Sequence, residues 1–217
     1  MITIVTINLN NKEGLKRTIE SVVSQSFFDK IEYVIIDGGS TDGSVDVIKE
    51  YDGKLAYWCS EPDGGIFPAM NKSIEHCHGD YVLYLNSGDI LNKNNVIERV
   101  YGELDKDIVY GNEYKVKVNK KRMLATYPDK LTENFFKKSA LPHQSTFIRT
   151  ELLKEHNYST DWKVLGDWSW LRERIMVDGV SYKHLKLPIS DYDLNGFSTI
   201  NQKLFFAERD EYYKHSV

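Results

Sequence analysis

Cysteine is scarce in this 217-residue chain, and no apolar run is long enough to cross a membrane. Its two cysteines, Cys59 and Cys77, make no disulfide framework, so we expect a reducing compartment. A β-rich run begins at Ile2 and leaves no space for a signal peptide. A membrane-spanning helix would need about 20 apolar residues. We therefore expect a cytoplasmic protein, and we leave open a contact with the inner face of a membrane.

An excess of positive charge is also missing. Lys and Arg number 28 against 32 Asp and Glu, which gives a net charge of −4. Proteins that coat nucleic acids are usually basic, so we expect no nucleic acid partner. The GxGxxG dinucleotide fingerprint is absent after the first apolar run, where Asn8-Leu9-Asn10-Asn11 stands instead. This absence argues against a dehydrogenase.

Hydrophobic patterning predicts one α/β domain with two unequal halves and no linker. In the first half, apolar runs alternate with helical spacing, as in Leu15, Ile19 and Val22. This alternation predicts a mostly parallel sheet, flanked by helices, with right-handed crossovers. Its strands are predicted at 2–7, 33–36, 55–58 and 81–85. The second half is predicted to hold a strand at 108–110, a basic hairpin over 113–125, a helix around Trp168, a strand at 182–187 and a C-terminal helix at 202–215.

Two acidic residues stand where apolar strands end, which is where open α/β sheets place ligands. Asp37 follows the second strand, and its carboxylate either accepts hydrogen bonds from a ribose or base, or satisfies amides of its own turn. Asp89 ends the run Asn86-Ser87-Gly88-Asp89 and either binds a hard divalent cation or caps the next turn. Residue type alone leaves both choices open.

A glycine pair and a later acid are further candidates. Asp63-Gly64-Gly65 precedes a helix predicted to begin near Pro68, so its amides either bind a phosphate or sugar or form a plain turn. Asp167 is either a general base beside a Trp168 platform for a sugar, or a helix N-cap. We expect His143 and His184 to be hydrogen-bonded histidines and not metal ligands. Whether either belongs to the site stays open.

Together these residues resemble the family 2 glycosyltransferases, which have the GT-A fold, of the small bacterial type that builds polysaccharides. Order and spacing match over residues 1–110 and thin out afterwards. The segments that carry the resemblance are VTIN at 5–8, EYVIIDGGSTDGS at 32–44, EPDGGI at 61–66, AMNK at 69–72, and GDY at 79–81 leading into LNSGD at 85–89.

The resemblance implies a single domain over 1–217, in which 1–110 binds the nucleotide-sugar donor and 111–217 binds the acceptor. It implies that Asp89 holds Mg²⁺ or Mn²⁺ against the diphosphate and that Asp167 is the base of an inverting transfer. The usual acidic motif has carboxylates where this chain has Asn86 and Gly88, and Pro68 stands where an Asp is common. The implied donor-binding residues are Thr6, Asn8, Asp37, Asp63, Gly65, Asn71 and Ser87.

We therefore expect transfer of a sugar from a nucleoside diphosphate sugar, UDP-linked, to a hydroxyl of a glycan or lipid-linked acceptor. The depleted acidic motif keeps open a weak or inactive protein that only binds carbohydrate or nucleotide. A nucleotidyltransferase would show a basic, Gly-rich loop after the first strand, and this chain lacks it. Two segments have a possible role at a membrane surface, the basic ribbon 115–122 and the aromatic residues of the C-terminal helix. The alternative is that the ribbon is simply solvated and that the aromatic residues are packed in the core.

Overall fold

A computed structural model describes residues 1–194 and 196–215. Its strands are β1 Ile2–Asn8, β2 Ile31–Asp37, β3 Tyr57–Ser60, β4 Tyr81–Tyr84, β5 Ile90–Leu91, β6 Ile108–Val116, β7 Arg122–Ala125, β8 Thr146–Arg149 and β9 Tyr182–Asp193. Its α-helices are α1 Lys12–Val23, α2 Ser44–Glu50, α3 Ile66–Ile74, α4 Val96–Tyr101, α5 Glu133–Phe136, α6 Thr150–Glu155, α7 Gly166–Met176, α8 Phe197–Ile200 and α9 Gln202–His215.

One mixed sheet runs through the molecule in the order β3-β2-β1-β4-β8-β6-β9-β5, and β7 pairs with β6 beside this path. Strands β1 to β4 are parallel to one another, as the predicted βαβ alternation requires. Antiparallel β8 lies between β4 and β6, and β9 runs parallel to β6. The carboxyl ends of β1, β2 and β4 therefore open at one edge of the sheet.

Alternate residues of the parallel strands enter two separate cores, because successive side chains of a strand point to opposite faces. Ile4 packs with α1, α2 and α4 on one face. Val5 packs with α3, α7 and Tyr212 of α9 on the other. All seven residues of β1 are buried, which explains why its sequence is continuously apolar apart from its threonines and Asn8.

Two boundaries differ from those predicted. Strand β3 lies two residues later than the run 55–58, since Tyr57 to Ser60 pair with β2 and Leu55 does not. Helix α3 begins at Ile66, before the predicted start near Pro68. Pro68 still falls in the first helical turn, where backbone N–H groups have no intrahelical partner and a proline costs little.

The aromatic residues of the C-terminal helix are packed inside. Tyr212 is buried, and the rings of Phe205, Tyr212 and Tyr213 make edge contacts with Trp168 of α7. These contacts support the core alternative for α9, although Phe206 is 42% exposed. Among residues 1–194 and 196–215, no helix has the length and apolar character needed to traverse a bilayer.

Candidate active site

A cavity of about 730 Å³ opens at the carboxyl ends of β1 and β4. This volume falls within the range of small-molecule sites. Four carboxylates line it, those of Asp63, Asp89, Asp161 and Asp193, whereas Lys163 and His143 are the basic residues among its described lining. A second cavity, between α7 and α9, is lined by none of the predicted site residues. The strand-end cavity is therefore the candidate active site.

The wall near α3 holds two of the predicted donor-binding residues, Asp63 and Gly65. Gly65 precedes the first residue of α3, and its backbone N–H donates to Asp63 Oδ1 at 2.9 Å. Within the described residues, no side-chain cap hydrogen bond is made at this helix start. Free amides at a helix N-terminus attract phosphate and other anions, so this wall can meet a charged donor.

Helix α1 fixes the turn that carries Asp89. Thr18 Oγ1 donates to the Asp89 carbonyl at 2.7 Å and accepts from the Gly88 N–H at 3.0 Å, while Asn11 Nδ2 donates to the Ser87 carbonyl at 2.9 Å. Gly88 has φ +110°, a backbone conformation that other residues rarely adopt. These hydrogen bonds fix the conformation of the turn, in which Ser87 and Asp89 line the cavity.

The carboxylate of Asp89 is almost completely buried. Burial raises its pKa to about 7, although the N–H of Asp193 donates to its Oδ1 at 2.8 Å and works in the opposite direction. Asp193, at the end of β9, also pairs with Arg17 at 3.2 Å. The ionised form of Asp89 is therefore short of stabilising partners, and a bound cation would supply one.

The donor set allows an ion that is shared with a ligand. Within the part of the chain that the structure describes, no group of three or more His, Cys, Asp and Glu side chains could hold a metal. Mg²⁺ is commonly held by one or two carboxylates together with substrate phosphates and water. Asp89 fits that pattern, and the acid-rich lining would repel a diphosphate unless a cation accompanied it.

Asp167 and His143 form a hydrogen-bonded pair. His143 Nδ1 donates to Asp167 Oδ2 at 2.8 Å, and His143 Nε2 lies 3.3 Å from Asn86 Nδ2. His143 lines the cavity and Asp167 does not. Burial lowers the pKa of His143, but the hydrogen bond and charge of Asp167, with Asp89 and Glu113 nearby, outweigh it and raise the pKa above the ordinary value.

Local packing brings Asp167 to this place. A Cβ at Gly166 would lie 2.8 Å from the ring of Phe67, so the absence of a side chain lets the start of α7 touch α3. Asp167 lies in the first turn of α7, where its Oδ1 accepts the Trp168 N–H at 2.8 Å, but the N-cap position is Leu165, so the N-cap alternative does not hold. Trp168 is 1% exposed and cannot be the sugar platform that we expected beside Asp167. Trp162 lines the cavity instead.

Three predicted donor-binding residues lie behind the cavity wall. Thr6 is fully buried, and its hydroxyl donates to the Leu85 carbonyl at 2.8 Å. Asp37 is fully buried too, and its carboxylate accepts from Asn8, Ser40 and Ser60. These hydrogen bonds outweigh burial and lower its pKa. Asn71 exchanges two hydrogen bonds with the Tyr158 backbone. None of the three is among the described lining residues of the cavity, and Thr6 and Asp37 are fully buried whereas Asn71 is partly exposed.

Asn8 and Ser87, by contrast, are among the lining residues of the cavity. Asn8 Nδ2 donates to Asp37 Oδ1 at 2.7 Å, and Asn8 Oδ1 is buried with no hydrogen-bond partner in the described structure. An unpaired buried acceptor is costly, but the Asn8 side chain is only 1% exposed, so this oxygen lies beneath the cavity surface like Thr6 and Asp37. His184 is not among the described lining residues of the cavity, and its ring is hydrogen-bonded to Asp129 and Asn112.

The loop 160–163 of the cavity wall was not anticipated from the sequence. Glu208 of α9 is 8% exposed and accepts the backbone N–H groups of Lys163, Val164 and Leu165 at 2.9–3.0 Å. One buried carboxylate thus fixes the segment between Trp162 and α7. No local signal marks this contact, because Glu208 and the loop are more than forty residues apart.

Comparison with known proteins assigns the family. The model of glycosyl transferase family 2 matches residues 3–158. An uncharacterised glycosyltransferase of Mycobacterium tuberculosis is 30% identical over 201 residues, which cover 90% of this chain and 76% of the relative. A PGL/p-HBAD biosynthesis glycosyltransferase of Mycobacterium bovis is 29% identical over 215 residues, with 94% and 82% covered.

Solved structures share the fold. TarS of S. aureus superposes with a TM-score of 0.72 at 18% identity, over 88% of this chain and 36% of TarS. A TarS fragment, 1-349, solved in complex with UDP-GlcNAc gives a TM-score of 0.71 at 17% identity, over 88% and 58%. The mannosyltransferase PcManGT of Pyrobaculum calidifontis, solved with GDP-Man and Mn²⁺, gives 0.65 at 16% identity, over 86% and 54%. The chain thus spans about a third of full-length TarS. The predicted GT-A fold is confirmed.

Proposed function

Because this chain belongs to glycosyltransferase family 2, we propose that it transfers a sugar, with inversion, from a UDP-linked donor to a hydroxyl of a glycan or lipid-linked acceptor in surface polysaccharide synthesis. The observation that carries this proposal is one cavity with Asp89 and the Gly65 helix start in its wall and the ring of His143, paired with Asp167, beside them. The UDP-GlcNAc complex of the TarS fragment supports the choice of a UDP donor.

The nucleoside is held by Asn8 and Asp63. Asp63 accepts ribose hydroxyls near the start of α3, and the end of β1 at Asn8 forms the wall against the base. Asp37 acts through Asn8, because its carboxylate holds the Asn8 amide by a 2.7 Å hydrogen bond. Ser87 and Gly65 contact the diphosphate and sugar. In this scheme Thr6 and Asn71 position the strand end and α3.

Asp89 would hold a divalent cation, Mn²⁺ or Mg²⁺, beside the donor diphosphate. When bound, the cation offsets the negative charge that develops on the departing diphosphate. The four carboxylates of the cavity make this charge compensation necessary.

His143 and Asp167 together remove the acceptor proton. The Asp167 carboxylate accepts the Nδ1–H of His143, which puts the lone pair on Nε2, where the acceptor hydroxyl replaces the Asn86 amide as its partner. Nε2 takes the hydroxyl proton as the acceptor oxygen bonds to the anomeric carbon, and the bond to the diphosphate oxygen breaks on the opposite face. Such general-base assistance typically gives about 10²–10⁴-fold.

In this proposal a single domain has two halves, of which residues 1–110 bind the donor and residues 111–217 bind the acceptor. Asp63 and Asp89 come from the first, and His143 and Asp193 come from the second. The reaction takes place in the cytoplasm, at the inner face of a membrane when the acceptor is lipid-linked.

Donor hydrolysis over a panel of nucleotide sugars, with Mn²⁺ and with EDTA, tests the proposal. We expect metal-dependent release of UDP from one sugar donor, and loss of release in Asp89→Asn. His143→Gln should keep UDP binding in calorimetry and lose turnover. Metal-dependent UDP binding without turnover on any donor or acceptor would instead support the non-catalytic alternative, and no UDP binding would overturn the donor assignment.

A further inference from the structure

The β6–β7 hairpin ends in a turn beyond Val116, the last residue of β6 that pairs with β9. Strand β7 pairs with β6 through Tyr114–Leu124 and Val116–Arg122, and the structure describes no second strand beside it. The turn is closed by the Lys120 N–H, which donates to the Lys117 carbonyl at 2.7 Å. Every residue from 117 to 124 is exposed. The hairpin tip, residues 117–124, therefore packs against little of the protein.

Three lysines of the hairpin tip have uncompensated charge. Lys117, Lys120 and Lys121 have no ion pair within the described residues, although the whole chain carries a net charge of −4. The flanking cations differ, since Lys115 lies 3.8 Å from Glu113 and Arg122 lies 2.6 Å from Asp191. Among the cations of the hairpin, those without an ion pair in the described structure therefore lie at its end.

Apolar side chains accompany these lysines. Val118 at the turn is 81% exposed, the highest value among the large hydrophobic residues that the structure describes. Leu124 and Met123 of β7 are 52% and 40% exposed. An edge strand in water is normally protected by charge and carries few apolar groups, because exposed apolar edges promote association. A surface that is both cationic and apolar matches the interface of an anionic bilayer.

The geometry of the turn does not explain Lys120. Its φ is +60°, in the left-handed region that glycine and asparagine adopt at lower cost. A glycine would close the same turn without strain and without charge. The lysine therefore adds a cation at a position where backbone geometry favours another residue.

We propose that the hairpin tip docks on an anionic phospholipid surface, with Val118 entering the headgroup region and the three lysines contacting lipid phosphates. Val116 pairs with Asp193, which lines the active-site cavity, so the hairpin begins one strand spacing, about 5 Å, from that cavity. Docking would hold the cavity close to the bilayer. Only the purpose of docking, access to a lipid-linked acceptor, depends on the proposed function.

Vesicle sedimentation tests the docking with the whole protein. We expect binding to vesicles that contain phosphatidylglycerol, little binding to pure phosphatidylcholine, and release in about 1 M salt, where the Debye length is about 3 Å. Each lysine near an anionic surface contributes about fivefold, so Lys117→Gln/Lys120→Gly/Lys121→Gln should weaken binding on the order of 100-fold. The matched control removes the same charge from three exposed helical lysines, Lys16→Gln/Lys49→Gln/Lys154→Gln.

The control variant should bind vesicles within a few fold of the wild type, and Val118→Ser should weaken binding severalfold. Equal loss in both triple variants would overturn the proposal, because it would show a general charge effect. No binding to anionic vesicles at low salt, or binding to a soluble polyanion such as heparin but not to vesicles, would overturn it too. UDP binding by calorimetry should be unchanged in the hairpin variant, so this test can fail while the proposed transferase function stands.

Discussion

Replacing Asp89 with asparagine should stabilise the metal-free protein at alkaline pH while it abolishes transfer. The two side chains have nearly the same shape, and an asparagine Oδ1 can still accept the Asp193 N–H that now donates to Asp89 at 2.8 Å. The substitution therefore removes a buried negative charge and leaves its hydrogen bond. Function and stability are expected to change in opposite directions at this position.

The size of the effect follows from the pKa of Asp89. Burial raises that pKa from an ordinary 3.8 to about 7, so ionising the folded carboxyl costs about 4 kcal/mol more than ionising the unfolded one. A raised pKa means that the stability present below about pH 4 is lost as the pH rises to about 7. Asp89→Asn avoids this loss, so its advantage should grow from about 2 kcal/mol at pH 5 to a ceiling of about 4 kcal/mol at pH 8.

Urea unfolding in EDTA, at about pH 5 and about pH 8, measures both values. Asp161→Asn is the matched control, because Asp161 lines the same cavity but is exposed, and its replacement should change stability by less than about 0.5 kcal/mol. If Asp89→Asn were less stable than the wild type at both pH values, the charge of Asp89 would be stabilised by the fold itself, and the argument for a cation partner would fail. Added Mn²⁺ should stabilise only the wild type.

Three further predictions follow from other contacts. Under saturating Mn²⁺, the transfer rate should fall as the pH drops through the pKa of His143, which is raised above 6.5. Asp167→Asn should move this fall to lower pH, because Asp167 raises that pKa. A fall near about pH 4 in the wild type would instead assign the proton transfer to Asp167 alone. Glu208→Ala should cost about 3 kcal/mol in urea unfolding, since three backbone N–H groups lose a charged acceptor, and a loss below about 0.5 kcal/mol would contradict this. Gly88→Ala should cost about 1–3 kcal/mol and weaken UDP binding in calorimetry, because φ is +110° there; unchanged stability would refute the strain.

The donor half was readable from the sequence because its signals are local. A buried parallel strand is a continuous apolar run, and the polar residue that follows it marks the sheet edge. Asn8, Asp37 and Asp89 were placed at strand ends on this basis, and all three lie at the carboxyl edge of the sheet. Gly65 was likewise placed correctly at the start of a helix.

Exposure of these residues could not be read in the same way. Asp37 is covered because Ser40 and Ser60 donate to it, and the second of these comes from β3, which joins the sheet only by tertiary pairing. The pairing of Asp167 with His143 is also tertiary, since strand β8 and helix α6 lie between them in the chain. Residue type gave each of these side chains several roles, and only the neighbouring elements select among them.

The pairing of His143 explains why an asparagine suits position 86. Asn86 Nδ2 lies 3.3 Å from His143 Nε2, and because an amide nitrogen can only donate, it contacts the lone pair of a neutral ring, which an acceptor hydroxyl has to reach in its place. An aspartate at the same position would add a second carboxylate to the ring that Asp167 already contacts, and two carboxylates would hold His143 protonated. A protonated ring cannot take a proton from an acceptor hydroxyl. The asparagine at position 86 is therefore consistent with catalysis by this site. It offers no carboxylate to a cation, but it also places no second carboxylate beside the His143 ring.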